Sequence, residues 1–191
     1  MERALIICCV VAALLGQATS SQPLAGTPAD APRANLAPSI DRVGFPEDYR
    51  SRFKVLNVVV RDEAPEVLTA YGNEQAASVD SRARLPYPDG SIIVMEFSYA
   101  LRDSNNQLKR DANGTVQIDR VEHLDVMRRG RGFGDAYGAS RSGEWEYAGY
   151  RLDGGYTTPP ERSAQCAACH RTAGPENDYV FLMRRRPSDS K

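Results

Sequence analysis

The sequence predicts an α+β fold, an antiparallel β-sheet with a few short helices. Two observations carry this. Residues 55–60 and 91–101 are β-branched or alternate apolar with polar positions, and Gly/Pro/Asn punctuation separates such runs at short intervals. Long stretches with an apolar residue every three or four positions, the mark of a helical bundle, are missing.

Taken in order, Phe45-Pro46-Glu47-Asp48-Tyr49-Arg50 reads as a short helix, with proline at its opening and acids in its first turn. Val55-Leu56-Asn57-Val58-Val59-Val60 predicts a strand. Residues 67–71 are a weaker strand candidate, because Asp62-Glu63-Ala64-Pro65 could equally open a helix there. Asn73 caps a short helix through Val79, with Glu74 in its first turn. Pro86-Tyr87-Pro88-Asp89-Gly90 is a turn. It feeds a strand over residues 91–101, in which Ile93, Met95, Phe97 and Tyr99 share one face. Residues 105–113 read as a loop or distorted hairpin arm ending at the Asn113-Gly114 turn. Residues 115–128 and 145–152 are further strands, and Gly130-Arg131-Gly132-Phe133-Gly134 between them is too glycine-rich for a regular element. Residues 179–184 predict a last strand.

The two ends read differently from the middle. Arg3 precedes an apolar run over residues 4–16, and Gln17-Ala18-Thr19-Ser20 offers small residues for cleavage after Ala18 or Ser20. The run is shorter than the ~20 apolar residues a membrane span needs, so residues 1–20 read as a signal peptide and the mature chain as soluble, exported and free of a membrane anchor. Residues 21–39 are rich in Ala and Pro and read as a flexible leader. Residues 40–186 are one domain's worth of chain, and 187–191 a tail. The net charge of −1 supplies no basic field for nucleic acid.

Cys8 and Cys9 lie inside the apolar run, where Ile6 and Ile7 fit a lipoprotein signal poorly, and both leave with it. The mature chain then keeps Cys166 and Cys169 alone, in Cys166-Ala167-Ala168-Cys169-His170. C-x-x-C-H is the attachment signature of c-type haem: each thiol adds to one vinyl group and the histidine becomes the proximal iron ligand. The alternatives are a redox dithiol, half of a zinc site, or chance. A dithiol wants a strand-to-helix setting and no following histidine. A zinc site wants a second ligand pair, and the remaining histidine, His123, has no cysteine near it. The reading is one covalent haem c per chain, with the sheet and helices packed around it. A motif this close to the C-terminus, on a strand-rich chain, is unlike the small helical electron carriers.

Beyond the haem motif, Tyr87-Pro88-Asp89-Gly90 followed by Glu96, Gly143-x-Trp145-x-Tyr147, and Asp178-Tyr179-Val180-Phe181 form an ordered set, with Phe45-Pro46-x-x-Tyr49 and Tyr71-Gly72-Asn73 before them. In these the chain resembles the cytochrome P-460 and cytochrome c′-beta family. The resemblance implies a small periplasmic homodimer, each subunit holding one five-coordinate haem. It implies either hydroxylamine oxidation, in members whose porphyrin carries a lysine crosslink, or nitric oxide binding at an open iron face in members without it. The crosslinking lysine precedes the strand glutamate, where this chain has Met95-Glu96. Lys109 is the nearest other lysine and lies in a loop-like segment. The expected function is therefore a cytochrome with an open sixth site, binding nitric oxide or related small nitrogen ligands, with at most weak hydroxylamine oxidation and an unidentified redox partner.

Several side chains are candidates for the haem pocket. Met95 and Phe97 share the inward strand face; Met95 either packs on the porphyrin as an apolar filler or ligates iron, which would make the protein a six-coordinate electron carrier. Phe97, Tyr99 and Phe133 could line a haem face. Met127 shares its face with Asp125 and His123 and is expected to point to solvent, as is His123, while Met183 is expected in the core. Glu161, in Pro159-Pro160-Glu161-Arg162, is a weak catalytic candidate as a proton relay, the plainer reading being a solvated loop acid. Arg184-Arg185-Arg186 could meet propionates or an acidic partner, or be simply solvated.

Overall fold

Six strands form one antiparallel meander. β1 (Lys54–Arg61), β2 (Glu66–Gly72), β3 (Ile92–Ala100), β4 (Ile118–Arg129), β5 (Trp145–Tyr150) and β6 (Tyr156–Thr158) lie across the sheet in sequence order. The computed structural model describes residues 36–61 and 64–181. Three short helices accompany the sheet: α1 (Tyr49–Arg52), α2 (Glu74–Ala77) and α3 (Ala164–Arg171). Among the described residues no helix is long and apolar enough to cross a membrane.

Alternation along β3 divides the sheet into two faces. On the first, Ile93 stands opposite Gly72 and Met127, Met95 opposite Ala70 and Asp125, and Phe97 opposite Leu68 and His123. On the second lie Val94, Glu96 and Ser98. Each face has its own core. The first packs Ile93, Met127, Trp145 and Tyr147 with Ala76, Tyr87, Tyr137, Ala167 and Val180. The second packs Val94, Leu124, Val126, Ala148 and Tyr150 with Val43 and Tyr49. Cover on both faces explains why all six residues of β5 are buried. Each large apolar side chain removed from water here contributes about 1.5–3 kcal/mol.

Asn73 joins local and long-range structure. Its Oδ1 accepts from Ala76 N, capping α2, and from Ile92 N, while its Nδ2 donates to Gly90 O. One side chain thus fixes both the helix start and the entrance to β3. Between β3 and β4 the chain makes a distorted arm, with bridges Arg102 to Leu108 and Arg110 to Val116 and a turn at Gly114, whose φ is +82°.

The strands over 55–60, 91–101, 115–128 and 145–152 form as expected, and 67–71 is a strand rather than a helix. Two expectations are corrected. Asp48 is left-handed, with φ 55°, so the first helix starts at Tyr49 and Pro46 does not open it. Residues 179–181 are not a strand, because Asp178 and Tyr179 both have positive φ and turn the chain back toward α3; residues 182–184 lie outside the described residues. The haem-type motif sits on a helix, α3, and a sixth strand, β6, was not foreseen.

Candidate functional site

α3 carries the motif on one short helix. Cys166 and Cys169 are three apart, so their side chains lie on neighbouring positions of one helical face. Both are free thiols. Ala167, between them, is wholly buried against the first-face core, and its small side chain lets α3 sit close to Tyr137, Trp145 and Tyr147. Ser163, ahead of α3, donates to Pro160 O and accepts from Tyr137 Oη at 2.8 Å, and Tyr147 N in turn donates to that hydroxyl oxygen at 3.2 Å. α3 is thereby pinned to β5 by polar as well as apolar contact.

His170 is fixed in tautomer and orientation. Its Nδ1 lies 2.8 Å from Tyr179 O. A carbonyl can only accept, so the proton is on Nδ1 and the Nε2 lone pair is free for a metal. Burial pushes the imidazole below its ordinary value, against the smaller opposing effect of the Tyr179 carbonyl, so the ring is neutral at physiological pH. Tyr147 and Phe181 flank the ring, with centroids 4.8 and 5.2 Å away.

Burial pushes the Cys166 thiol up to about 11, and the charge of Asp125 adds to the shift. That coupling places the β4 carboxylate within electrostatic reach of α3. Asp125 is half exposed, its side chain 53% accessible, yet desolvation holds its carboxyl above the ordinary range, partly offset by His123. Met95 faces it across the ladder. The first face therefore offers α3 a wall of Ile93, Met95, Phe97 and Met127 with one acid in it.

The donor set fits a c-type haem. Two free thiols one helical turn apart precede a neutral imidazole with one nitrogen uncommitted, beside a largely apolar sheet face. Among the described residues no group of three or more His, Cys, Asp or Glu is placed to hold a metal ion, so the cysteine pair lacks the companion ligands of a zinc site.

Other sequence candidates fall where the fold puts them. Met95 and Phe97 lie on the face toward which α3 packs. Met127 shares the face of Asp125 and His123 as expected but is buried, 5% exposed, because that face is covered rather than open to solvent. His123 is not a free surface histidine: it stacks on Phe97 at 4.3 Å, with planes 12° apart. Tyr99 donates to Glu122 and lies under Arg120, at the outer end of the sheet. Phe133 does not line this face; it lies under the Arg42 guanidinium, which pairs with Glu146 on the opposite side of β5. Glu161 is exposed on the 3-10 turn before α3, and its charge acts on the Tyr156 hydroxyl at the sheet edge. Lys109 is exposed on the arm. Met183 and Arg184, Arg185 and Arg186 lie outside the described residues.

Sequence reasoning missed Asp125 as a partly desolvated acid on the face toward which α3 packs. The signal was available, since alternation put it with Met127 and His123, but that face was assigned to solvent. It also missed the Asp178-Tyr179 turn as the anchor of His170, which no local pattern announces.

Comparison with known proteins agrees with this geometry. No curated protein matches the chain significantly. Residues 46–182, which include the whole sheet, α3 and the turn that holds His170, match the sequence model of the family described as cytochrome P460. The match covers well over half of the chain, so this protein belongs to the cytochrome P460 family and is a cytochrome, with the haem cofactor that membership implies.

Proposed function

We propose that the protein is an exported, periplasmic mono-haem c-type cytochrome that binds nitric oxide or related small nitrogen ligands at an open sixth iron position. One haem attaches through Cys166 and Cys169, and His170 serves as the proximal ligand. The observation that carries this reading is the Nδ1 hydrogen bond from His170 to Tyr179 O, which leaves Nε2 as the free donor next to the two thiols. The bound group supplies the redox and ligand-binding chemistry; the chain holds it, orients it and sets access and polarity. Ile93, Met95, Phe97 and Met127 make the face toward which α3 packs largely apolar. Little there offsets the cost of desolvating an anion, so neutral diatomics are favoured over anionic ligands. Asp125, when ionised, opposes anions further.

By the resemblance in the residues before Glu96, Met95 stands where hydroxylamine-oxidising members carry the crosslinking lysine. Hydroxylamine oxidation is therefore slow at most. Val55 and Val58, both about half exposed on the same side of edge strand β1, suit burial against a second copy in a homodimer. Light scattering on the mature protein at micromolar concentration checks this, and a monomer there would remove the dimer from the reading.

The decisive experiment has two parts. Acid–acetone extraction should leave the colour with the polypeptide, and the ferrous spectrum should change on adding carbon monoxide or nitric oxide. Haem in the organic phase would overturn covalent attachment. The competing reading is an electron carrier in which the Met95 sulfur closes the sixth position; Met95 lies on the required face. A low-spin ferrous spectrum indifferent to carbon monoxide would select it.

A further inference from the structure

Asp178 and Tyr179 are consecutive non-glycine residues in the left-handed region, with φ 48° and 60°. Each such residue costs about 1–2 kcal/mol, and the pair persists only where surrounding contacts over-determine it. Three strand ends supply those contacts. From the loop before β3, Tyr87 N donates to Asp178 Oδ2 at 2.9 Å. From the end of β4, Arg129 Nε forms an ion pair with the same oxygen at 3.3 Å, while its Nη1 pairs with Asp89. From the start of β5, Trp145 Nε1 donates to Asp178 O at 2.9 Å. The Tyr179 ring lies over Gly143, where a Cβ would come within 2.8 Å of it.

All of these groups act on the turn whose next carbonyl, Tyr179 O, accepts the hydrogen bond from His170 Nδ1. Asp178 is the centre of the arrangement, a carboxylate only 7% exposed that receives contacts from two of the three strand ends. We propose that Asp178 is a positioning residue for the proximal imidazole, setting the orientation and donor strength of His170 through the Tyr179 carbonyl. A well-aligned carbonyl draws the Nδ1 proton and raises the basicity of Nε2, and misalignment weakens it steeply. Donor strength toward iron is in this way tied to the register of β3, β4 and β5.

The inference rests on haem attachment at α3 and is tested on full-length haem-loaded protein. Resonance Raman of the ferrous form gives the iron–histidine stretching band, and stopped flow with nitric oxide gives the rate of proximal-histidine release. Asp178→Ala should move the band to lower frequency and speed release about tenfold, equivalent to about 1.4 kcal/mol. Asp178→Asn, which still accepts from Tyr87 N, should keep most of the band position. Glu96→Gln, a buried carboxylate change on the opposite sheet face, should leave both readouts unchanged. A wild-type band in Asp178→Ala, or an equal shift in Glu96→Gln, overturns the inference. If Asp178→Ala does not accumulate, Trp145→Phe removes the donor to Asp178 O and is judged by the same band, an unshifted one being equally fatal. Colourless wild-type polypeptide would overturn the haem reading and this inference together, whereas an unshifted band in a coloured variant overturns the inference alone.

Discussion

Met95 stands directly across the β3–β4 ladder from Asp125, on the sheet face toward which α3 packs. A flexible thioether and a partly desolvated carboxylate thus share one stretch of the face, an apolar filler beside a charge.

Met95→Ala should leave the resting spin state unchanged and speed binding of carbon monoxide to the ferrous protein. The expectation follows from Met95 acting as a filler, whose removal opens space at a cost of about 2–5 kcal/mol in stability if the site is well packed. Loss of a low-spin methionine-to-iron charge-transfer band in this variant would instead show that the sulfur is a ligand.

The porphyrin should carry no lysine crosslink. Lys54 and Lys109 are both exposed, at the start of β1 and on the β3–β4 arm, and Met95 has no amine to offer. Intact mass should equal the mature polypeptide plus one haem, without the hydrogen loss of a further bond. A peptide joining any lysine to the porphyrin would refute this.

Asp125→Asn should stabilise the protein slightly at neutral pH. Desolvation raises this carboxyl above its ordinary 3.8 in the folded state, with His123 opposing the shift. A raised carboxyl penalises folding increasingly as pH climbs from the unfolded value through the folded one, and the penalty is absent below both. The gain in the variant should therefore appear above pH 4 and vanish near pH 3. Because the side chain is half exposed, screening keeps the gain below about 1 kcal/mol. Thermal melts across that window measure it, and a variant less stable at pH 7 would contradict it.

Glu96→Gln should show the opposite dependence. Burial alone would raise the Glu96 carboxyl, but hydrogen bonds from the Arg50 guanidinium, 2.7 Å away, and the Tyr49 hydroxyl outweigh it and hold it below its ordinary 4.5. A depressed carboxyl contributes stability that is complete above the unfolded value and is lost as pH falls through the folded one. The variant should lose about 1–3 kcal/mol at pH 7, and the difference from wild type should close on acidification below pH 4. A gap that persists unchanged at low pH would show that shape, not charge, is at stake.

Much of the fold was legible because its signals are local. Alternation in Ile93, Met95, Phe97 exposes a strand with two faces, and Asn73 announces a cap that the structure confirms by its bond to Ala76 N. The first helix was misplaced because a left-handed Asp48 cannot be read from Pro46-Glu47. Met127 and His123 were assigned to solvent because alternation tells which residues share a face but not what covers it. Packing of α2, α3 and the Asp135–Ser140 turn against the sheet covers Met127, and stacking on Phe97 holds His123.

By itself the sequence determined the cysteine pair with its adjacent histidine, the antiparallel strands and the family resemblance, because spacing, period and motif order are properties of the linear chain. Tertiary structure alone decided which nitrogen of His170 is free, since that depends on a carbonyl nine residues away in a turn held by three strand ends. It alone decided that Asp125 is partly desolvated within electrostatic reach of Cys166, since a side chain's solvation is set by neighbours distant in sequence. Hydrogen bonds and desolvation act through space, and the order of residues encodes them only through the completed fold.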